Sequence, residues 1–436
     1  MSELGNSAAE ALAYVQSTPK AQGETMLGVP FEPLDVVRVG MIGLGGRGYG
    51  LLNEVLAVEG VQVTALSDPV EAHAARGRER VEKAGQRAPA VEADWQKLCE
   101  RKDVDLIYVC SAWNSHVPQA VQAMECGKIV AVEVPAATTL ADCWRLVDTS
   151  ERTRKHCVML ENCCYGASEL LALNMVRAGL LGTITHGEAA YIHDLRSLLL
   201  EGRSEGLWRR FPHIQRNGNL YPTHGLGPVS WYMDIHRGDR PDRFVRLVSM
   251  SSQPAALREY RDSHVPSGDP LRTEVYQCGD INSSLLQTAQ GRTILLQHDV
   301  VTPRPYSRIN LIAGTKGAFC DFPPRVFFDG DGHEWKSIDE VQTKWQHHLW
   351  KTAGEMARKH GGHGGMDYIM NYRLIDLIRR GLPPDIDAYD AAAWSAPGPL
   401  SEISVAWGNM PLPYPDFTRG RWEKNKAPVA CDACEK

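Results

Sequence analysis

The chain reads as an α/β protein in two parts. A doubly wound parallel sheet comes first, followed by an α+β region on a mostly antiparallel open sheet. Three observations carry this reading. Apolar strands alternate with helical stretches from Val36 to about Met159, a glycine-rich turn follows the first strand, and period-two alternation takes over beyond about Cys163. At 436 residues the chain is long enough for two domains, and 43% hydrophobic with 23% charged residues is an ordinary globular balance. The expected divisions are an arm over residues 1–35, a nucleotide-binding domain over 36–162, and a substrate-binding domain over 163–436 whose C-terminal segments return to the first.

Residues 1–35 hold Pro19, Pro30 and Pro33 and read as a helix plus an extended arm. Strands are expected at Val36–Ile42, Val61–Leu66, Leu106–Cys110, Ile129–Val134 and Val158–Leu160, each a short run rich in Val, Ile and Leu. Helices are expected between them at Tyr49–Ala57, Val70–Lys83, His116–Cys126 and Leu140–Arg154. Ligands of such sheets bind beyond the carboxyl ends of the strands, so the loops to inspect begin at Gly43, Asp68, Ser111 and Glu133. A helix at Ser168–Ala178 leads into alternating strands at His186–Ile192, Phe244–Ser249, Ser284–Ala289, Thr293–His298 and Ser307–Ile312. Near the end, Gly361-Gly-His-Gly-Gly365 precedes a helix, Met366–Arg380, that stops at Gly381.

Gly43, Gly45 and Gly48 fill the three glycine places of G-x-G-x-x-G, with Gly46 and Arg47 inside the turn. The first glycine suits the tight turn, the second lets a pyrophosphate approach the backbone, and the third lets helix pack on strand. Asp68 ends the second strand 20 residues beyond Gly48, where a carboxylate can bond both ribose hydroxyls and repel a 2′-phosphate. A dinucleotide is therefore expected on a Rossmann-type fold, and NAD rather than NADP. Arg47, in the turn itself, is expected on a phosphate.

Net charge is −6, which gives no footing for a nucleic-acid partner. No apolar run approaches the roughly 20 residues of a membrane span. The N-terminus has neither a basic region followed by an apolar stretch nor a twin arginine, so the cytoplasm is the expected location, with export of a folded precursor left open. The eleven cysteines show no disulfide framework. Cys110 and Cys126 are expected as buried thiols, the adjacent Cys163 and Cys164 as unbridged, and Cys431-Asp-Ala-Cys434 as a frayed tail. Without an H-E-x-x-H or similar cluster, no metal is expected.

Asp105-Leu-Ile-Tyr-Val-Cys-Ser-Ala-Trp-Asn-Ser-His-Val-Pro118 and Cys126-Gly-Lys-Ile-Val-Ala-Val-Glu-Val-Pro135 resemble the Gfo/Idh/MocA family of nucleotide-dependent sugar oxidoreductases. The dehydrogenases of that family carry a lysine where this chain has Val134, and an aspartate where it has Leu220. Further segments resemble glycoside hydrolase family 109, a branch of the same fold. They are Glu161-Asn-Cys-Cys-Tyr165, Tyr191-Ile-His-Asp-Leu-Arg196, Trp208-Arg-Arg210, Gly218-Asn-Leu-Tyr-Pro-Thr-His-Gly-Leu-Gly-Pro228, Gly361-Gly-His-Gly-Gly-Met-Asp367 and Ala391-Ala-Ala-Trp-Ser395. The resemblance implies hydrolysis of terminal α-linked N-acetylgalactosamine with NAD. The implied route is oxidation at carbon 3, elimination, water addition and re-reduction, with no net redox change. An NAD-dependent sugar dehydrogenase or epimerase is the alternative.

The resemblance implies NAD contacts from Gly46 and Arg47, Asp68, Trp113, Asn114, Ser115, His116, Glu133, Val134 and Asn162. It implies substrate contacts from Tyr191, Arg210, Tyr221, Pro222, Thr223, His224 and Tyr306. His224 is the choice for accepting the carbon-3 hydroxyl proton, since neutral imidazole takes a proton near pH 7. Tyr191 is the choice for the carbon-2 proton, with Tyr165 and Tyr221 as alternatives. That role asks for a phenol lowered from about 10 by a cation such as Arg210. A terminal N-acetylgalactosamine glycan is the expected partner, with no membrane, and a homodimer is expected only by analogy.

Overall fold

The computed structural model describes residues 4–431. Its first sheet is built from β1 (Val37–Ile42), β2 (Val61–Ser67), β3 (Ala90–Val91), β4 (Leu106–Val109), β5 (Ile129–Val132) and β6 (Cys157–Met159). The strands are all parallel and run in the order β3-β2-β1-β4-β5-β6. Chain order reverses between β1 and β4, which opens a crevice at the carboxyl end of β1, directly over the glycine turn. Val39, Met41, Leu106, Ile107, Tyr108, Val130 and Val132 are fully buried, as a sheet covered by helices on both faces requires.

The expected elements of this half are present within a few residues. The helix after the glycine turn starts earlier than expected, at Gly46, and the next-but-one loop helix starts at Trp113 rather than His116. Two elements were not expected: the two-residue β3 and a six-residue helix, Trp95–Glu100, capped by Asp94. Cys110 and Cys126 are only half-buried, because the strand ends at Val109 and the helix at Glu125, leaving each cysteine at a terminus. The N-terminal helix, Ala8–Gln16, is capped by Ser7, and the arm after it is pinned where the Tyr389 hydroxyl accepts from the Met26 amide.

The second sheet comprises β7 (Ile184–Ile192), β8 (Phe244–Ser251), β9 (Asn282–Thr288), β10 (Thr293–Asp299), β11 (Leu311–Gly314), β12 (Gly317–Cys320), β13 (Arg325–Phe328), β14 (Lys336–Ser337) and β15 (Leu412–Pro413). Its order is β14-β13-β12-β11-β7-β10-β9-β8-β15, antiparallel throughout except for the β7–β10 pair. The strand expected at Ser307–Ile312 is a correction. Ile309 and Asn310 take left-handed φ values of 59° and 50°, so only a single bridge from Ser307 to Ile192 precedes the true strand at Leu311. The end of the chain is a second correction. Through Cys431 it is tied down, with the Ala430 amide on Asp385 and the Cys431 carbonyl accepting from Arg373; Cys434 lies outside the described residues.

Burial holds several imidazoles neutral: His156 is pushed down to about 4, His213 and His347 to about 3, and His298 well below its ordinary value. The unfolded chain takes up protons on these groups as pH falls below about 6.5, and the folded chain does not. Stability is therefore complete above that pH and is lost as pH falls toward 4, by about 1.4 kcal/mol per histidine per pH unit. A melting curve at pH 7.5 and pH 5 should differ by many degrees, and His156→Gln should flatten the difference. An unchanged melting temperature across this range would contradict the assignment.

Candidate active site

The helix Thr223–Tyr232 lies across the back of β7, and two glycines make that approach close. A methyl at Gly225 would collide with the Ala190 backbone, and one at Gly227 would press on Glu161 and Cys164. The His-Gly-Leu-Gly spacing thus delivers His224 to a point between β7 and the loop after β6. There the His224 Nδ1 lies 2.7 Å from Glu161 Oε1, and its Nε2 lies 3.5 Å from the Tyr221 hydroxyl. A carboxylate only accepts, so Nδ1 carries the ring proton and Nε2 keeps its lone pair. Glu161 is fully buried at the head of the 3-10 turn Asn162–Tyr165, where it also accepts from the Cys163 amide. Burial pushes its carboxyl up, but His224 and the amide outweigh this and hold it below the usual carboxylate range. Glu161 was quoted in the sequence motif without a role; it is the group that orients His224.

Aromatic rings close around this pair. The Tyr191 and Tyr221 ring centres are 4.7 Å apart, and His224 stands edge-on to both. Trp113, at the start of the helix after β4, reaches Tyr221 at 5.6 Å and so joins the two sheets' loops at one place. Tyr306 stands edge-on to Tyr191, half-exposed, its hydroxyl accepting from Arg308. Pro222 and Thr223 form the turn into the His224 helix. Tyr165 lies elsewhere: its hydroxyl faces Asp385 and its ring packs on Trp231.

The cation of this cluster is Arg209, not Arg210. Arg209 lies over Trp113, Tyr221 and Tyr191 at 5.3, 4.9 and 6.0 Å. Arg210 turns the other way, onto Glu274 and the Leu199 and Gly206 carbonyls. The expected lowering of the Tyr191 phenol is also corrected. Burial pushes it above its ordinary value, and Arg209 offsets only part of that. Its hydroxyl is 3.0 Å from His193 Nδ1, a neighbour two residues along that strand alternation could have flagged.

At the glycine turn, Gly43 has φ of +87°, and a methyl there would meet the Cys110 backbone. A methyl at Gly48 would collide with the Gly43 carbonyl oxygen. Gly45 has open space before it, and no side chain caps the helix Gly46–Val55, so its first amides are free for a pyrophosphate. Asp68 faces the turn from β2, accepting from the Leu44 amide at 2.6 Å and the Val70 amide at 2.8 Å. These features fit a dinucleotide.

Arg47 lies in the first turn of the helix Gly46–Val55 and is held by carboxylates. Its guanidinium bridges Glu133, after β5, and Asp367 at 2.8 and 2.7 Å. Asp367 also accepts from Asn162 and from His363, and this company holds its carboxyl well below the usual range despite burial. His116 clamps two loops instead of reaching outward, its ring nitrogens each 2.9 Å from a carbonyl, of Pro135 and of Ser111. Asn114 is exposed, Ser115 half-buried, and Val134 buried against the same crevice. A groove of about 460 Å³ between the N-terminal arm and the first sheet's helices, lined by Tyr14, Trp144 and Arg152, shares no residue with this cluster.

Fold and glycine crevice together define an NAD-binding oxidoreductase fold joined to a second, mostly antiparallel sheet. Residues 37–161 match the oxidoreductase family NAD-binding Rossmann fold, and residues 165–424 match the C-terminal domain of glycosyl hydrolase 109. The protein belongs to glycosyl hydrolase family 109: it is an NAD-dependent glycoside hydrolase. A family 109 protein of Solibacter usitatus is 55% identical over 413 residues, covering 93% of this chain and 94% of its own length. One from Streptomyces filamentosus is 49% identical, covering 98% and 87%. Among solved structures, levoglucosan dehydrogenase in complex with NADH superposes with a TM-score of 0.68 over 87% of this chain and 99% of its own, at 16% identity. That likeness is one of fold.

Proposed function

We propose that the protein hydrolyses terminal α-linked N-acetylgalactosaminides, with His224 and Tyr191 handling the two protons of the sugar ring. The observation that carries this reading is the Glu161–His224 pair, placed beside two tyrosines and Arg209 at the mouth of the glycine crevice. NAD, when bound, supplies a reversible hydride acceptor for carbon 3. Glu161 fixes the His224 tautomer so that Nε2 accepts the carbon-3 hydroxyl proton and later returns it. A ketone at carbon 3 acidifies the proton on carbon 2, and Tyr191 removes it. Tyr191 acts there as a phenolate, formed by passing its proton to the His193 Nδ1 at 3.0 Å and met by Arg209 before the transfer, and taking the carbon-2 proton returns it to the neutral phenol. Tyr221, packed on Trp113 with its hydroxyl 3.5 Å from Nε2, gives way there to the sugar hydroxyl and lines the sugar's place. Val134 supports this reading over a dehydrogenase, since it is buried and carries no ammonium for the reacting hydroxyl.

The deciding experiment incubates the purified protein, without added cofactor, with p-nitrophenyl α-N-acetylgalactosaminide. Nitrophenol should be released at a steady rate with no accumulation of absorbance at the NADH band. Absence of release, with NADH formed from free sugars once NAD is added, would move the assignment to a sugar dehydrogenase.

A further inference from the structure

Cys163 has no part in the chemistry above, yet its thiol sits among that chemistry's groups. One ligand atom each from Glu161, Cys163 and His224 lies within 4.8 Å of the other two. Carboxylate oxygen, sulfur and imidazole nitrogen are the donors zinc prefers, and bonds of about 2.0–2.3 Å set such donors about 3.3–3.6 Å apart, so the 2.7 Å oxygen–nitrogen pair opens as the ion enters. All three are held by secondary structure: two on the 3-10 turn after β6 and one on the His224 helix. A second observation marks the place. The Glu161 Oε2 is buried and outside ordinary hydrogen-bond geometry, with only the nearby Thr223 hydroxyl acting on the carboxylate, so this oxygen can turn to a cation at the cost of that weak contact.

We propose that Glu161, Cys163 and His224 form an inhibitory site for a thiophilic divalent cation, zinc above all. The assignment of inhibition rests on the catalytic role given to His224. On binding, the Cys163 thiol releases its proton to solvent and its sulfur bonds the metal. Glu161 gives up its hydrogen bond to His224 and ligates through an oxygen. His224 coordinates through Nδ1, the nitrogen facing Glu161, and its ring proton moves to Nε2. The ring stays neutral, but the one nitrogen that accepted the sugar proton now carries a hydrogen. The fourth position stays open to water or a sugar hydroxyl, as in sites with three protein ligands. Such a site would stop hydrolysis without touching the nucleotide crevice.

The test uses the NAD-loaded enzyme, stripped of metal by chelation, with Co²⁺ as a spectroscopic probe and Zn²⁺ as the inhibitor. Co²⁺ should give a sulfur-to-metal charge-transfer band at one equivalent, and Zn²⁺ should remove both that band and nitrophenol release. Cys163→Ala should hydrolyse normally, lack the band, and need at least about a hundredfold more Zn²⁺ for the same inhibition, since even outer-sphere partners of a metal are worth 10–100-fold. Equal zinc sensitivity in the wild type and Cys163→Ala, or a band that survives the substitution, would overturn the proposal. A Cys163-dependent band with undiminished hydrolysis would keep the metal site and overturn its inhibitory action together with the role of His224.

Discussion

His224→Ala is expected to lower kcat for the nitrophenyl substrate by about a thousandfold, within the 10²–10⁴ range of a positioned acid–base group. The NAD content of the purified protein should be unchanged, because His224 lies on the second sheet's helix and not on the glycine turn. Stability should also fall. The substitution leaves Glu161 fully buried without its ionic partner, with the Thr223 hydroxyl and the Cys163 amide in its place, and orphaning one member of a buried pair costs about 3–5 kcal/mol. That effect could disguise a folding defect as a catalytic one. Glu161→Gln combined with His224→Gln removes the charge together with the base, so it should recover much of the melting temperature and none of the activity. Substantial hydrolysis in either variant would end the carbon-3 assignment.

Gly48→Ala should empty the nucleotide crevice. The added methyl has no space short of the Gly43 carbonyl, so the helix Gly46–Val55 must move off the turn that precedes it. Overpacking of this kind costs about 1–3 kcal/mol, which at 1.4 kcal/mol per tenfold weakens NAD by roughly 10–100-fold. Cofactor retained through desalting, measured after acid release, should drop sharply, with activity partly restored by millimolar NAD. Gly50→Ala, on the same helix but outside the phosphate turn, is the control, since nothing lies within 4 Å of a methyl there. If both alanines retain the cofactor equally, close packing at Gly48 is not what shapes the crevice.

The central strands β4 and β5 were legible because they are buried on both faces and read as apolar runs. Strands β1 and β2, interrupted by Arg38, Gln62 and Thr64, were legible from the glycine turn and the aspartate that follow them. The two-residue β3 has no periodicity to read. Ser307–Ile312 misled for a different reason: the alternation is real, but backbone torsions at Ile309 and Asn310 interrupt the ladder, and side-chain pattern does not encode them. In the candidate site, motif context singled out His224 and Tyr191, and the structure sets the two side by side. Their partners were not legible. Glu161 stands 63 positions from His224, and only the packing of Gly227 against it brings the two together. Arg209 and Arg210 are neighbours in short helical turns, where successive residues point about 100° apart, so sequence alone could not tell which faced the tyrosines. The carboxylate partner of Arg47 could not be read from the sequence, because Asp367 lies 320 residues away.

That distance has a consequence for how the protein is made. The glycine turn emerges early from the ribosome, but the carboxylate that steadies its arginine belongs to the helix Met366–Arg380, among the last elements synthesised. The same late helix carries Asn371, which accepts from the Tyr108 hydroxyl on β4, and a later one carries Tyr389, which grips the N-terminal arm. A nascent chain therefore has its nucleotide fingerprint long before it has the braces around it. Loading of the cofactor is expected to wait for the finished polypeptide, so products cut short before Met366 should retain no NAD through desalting.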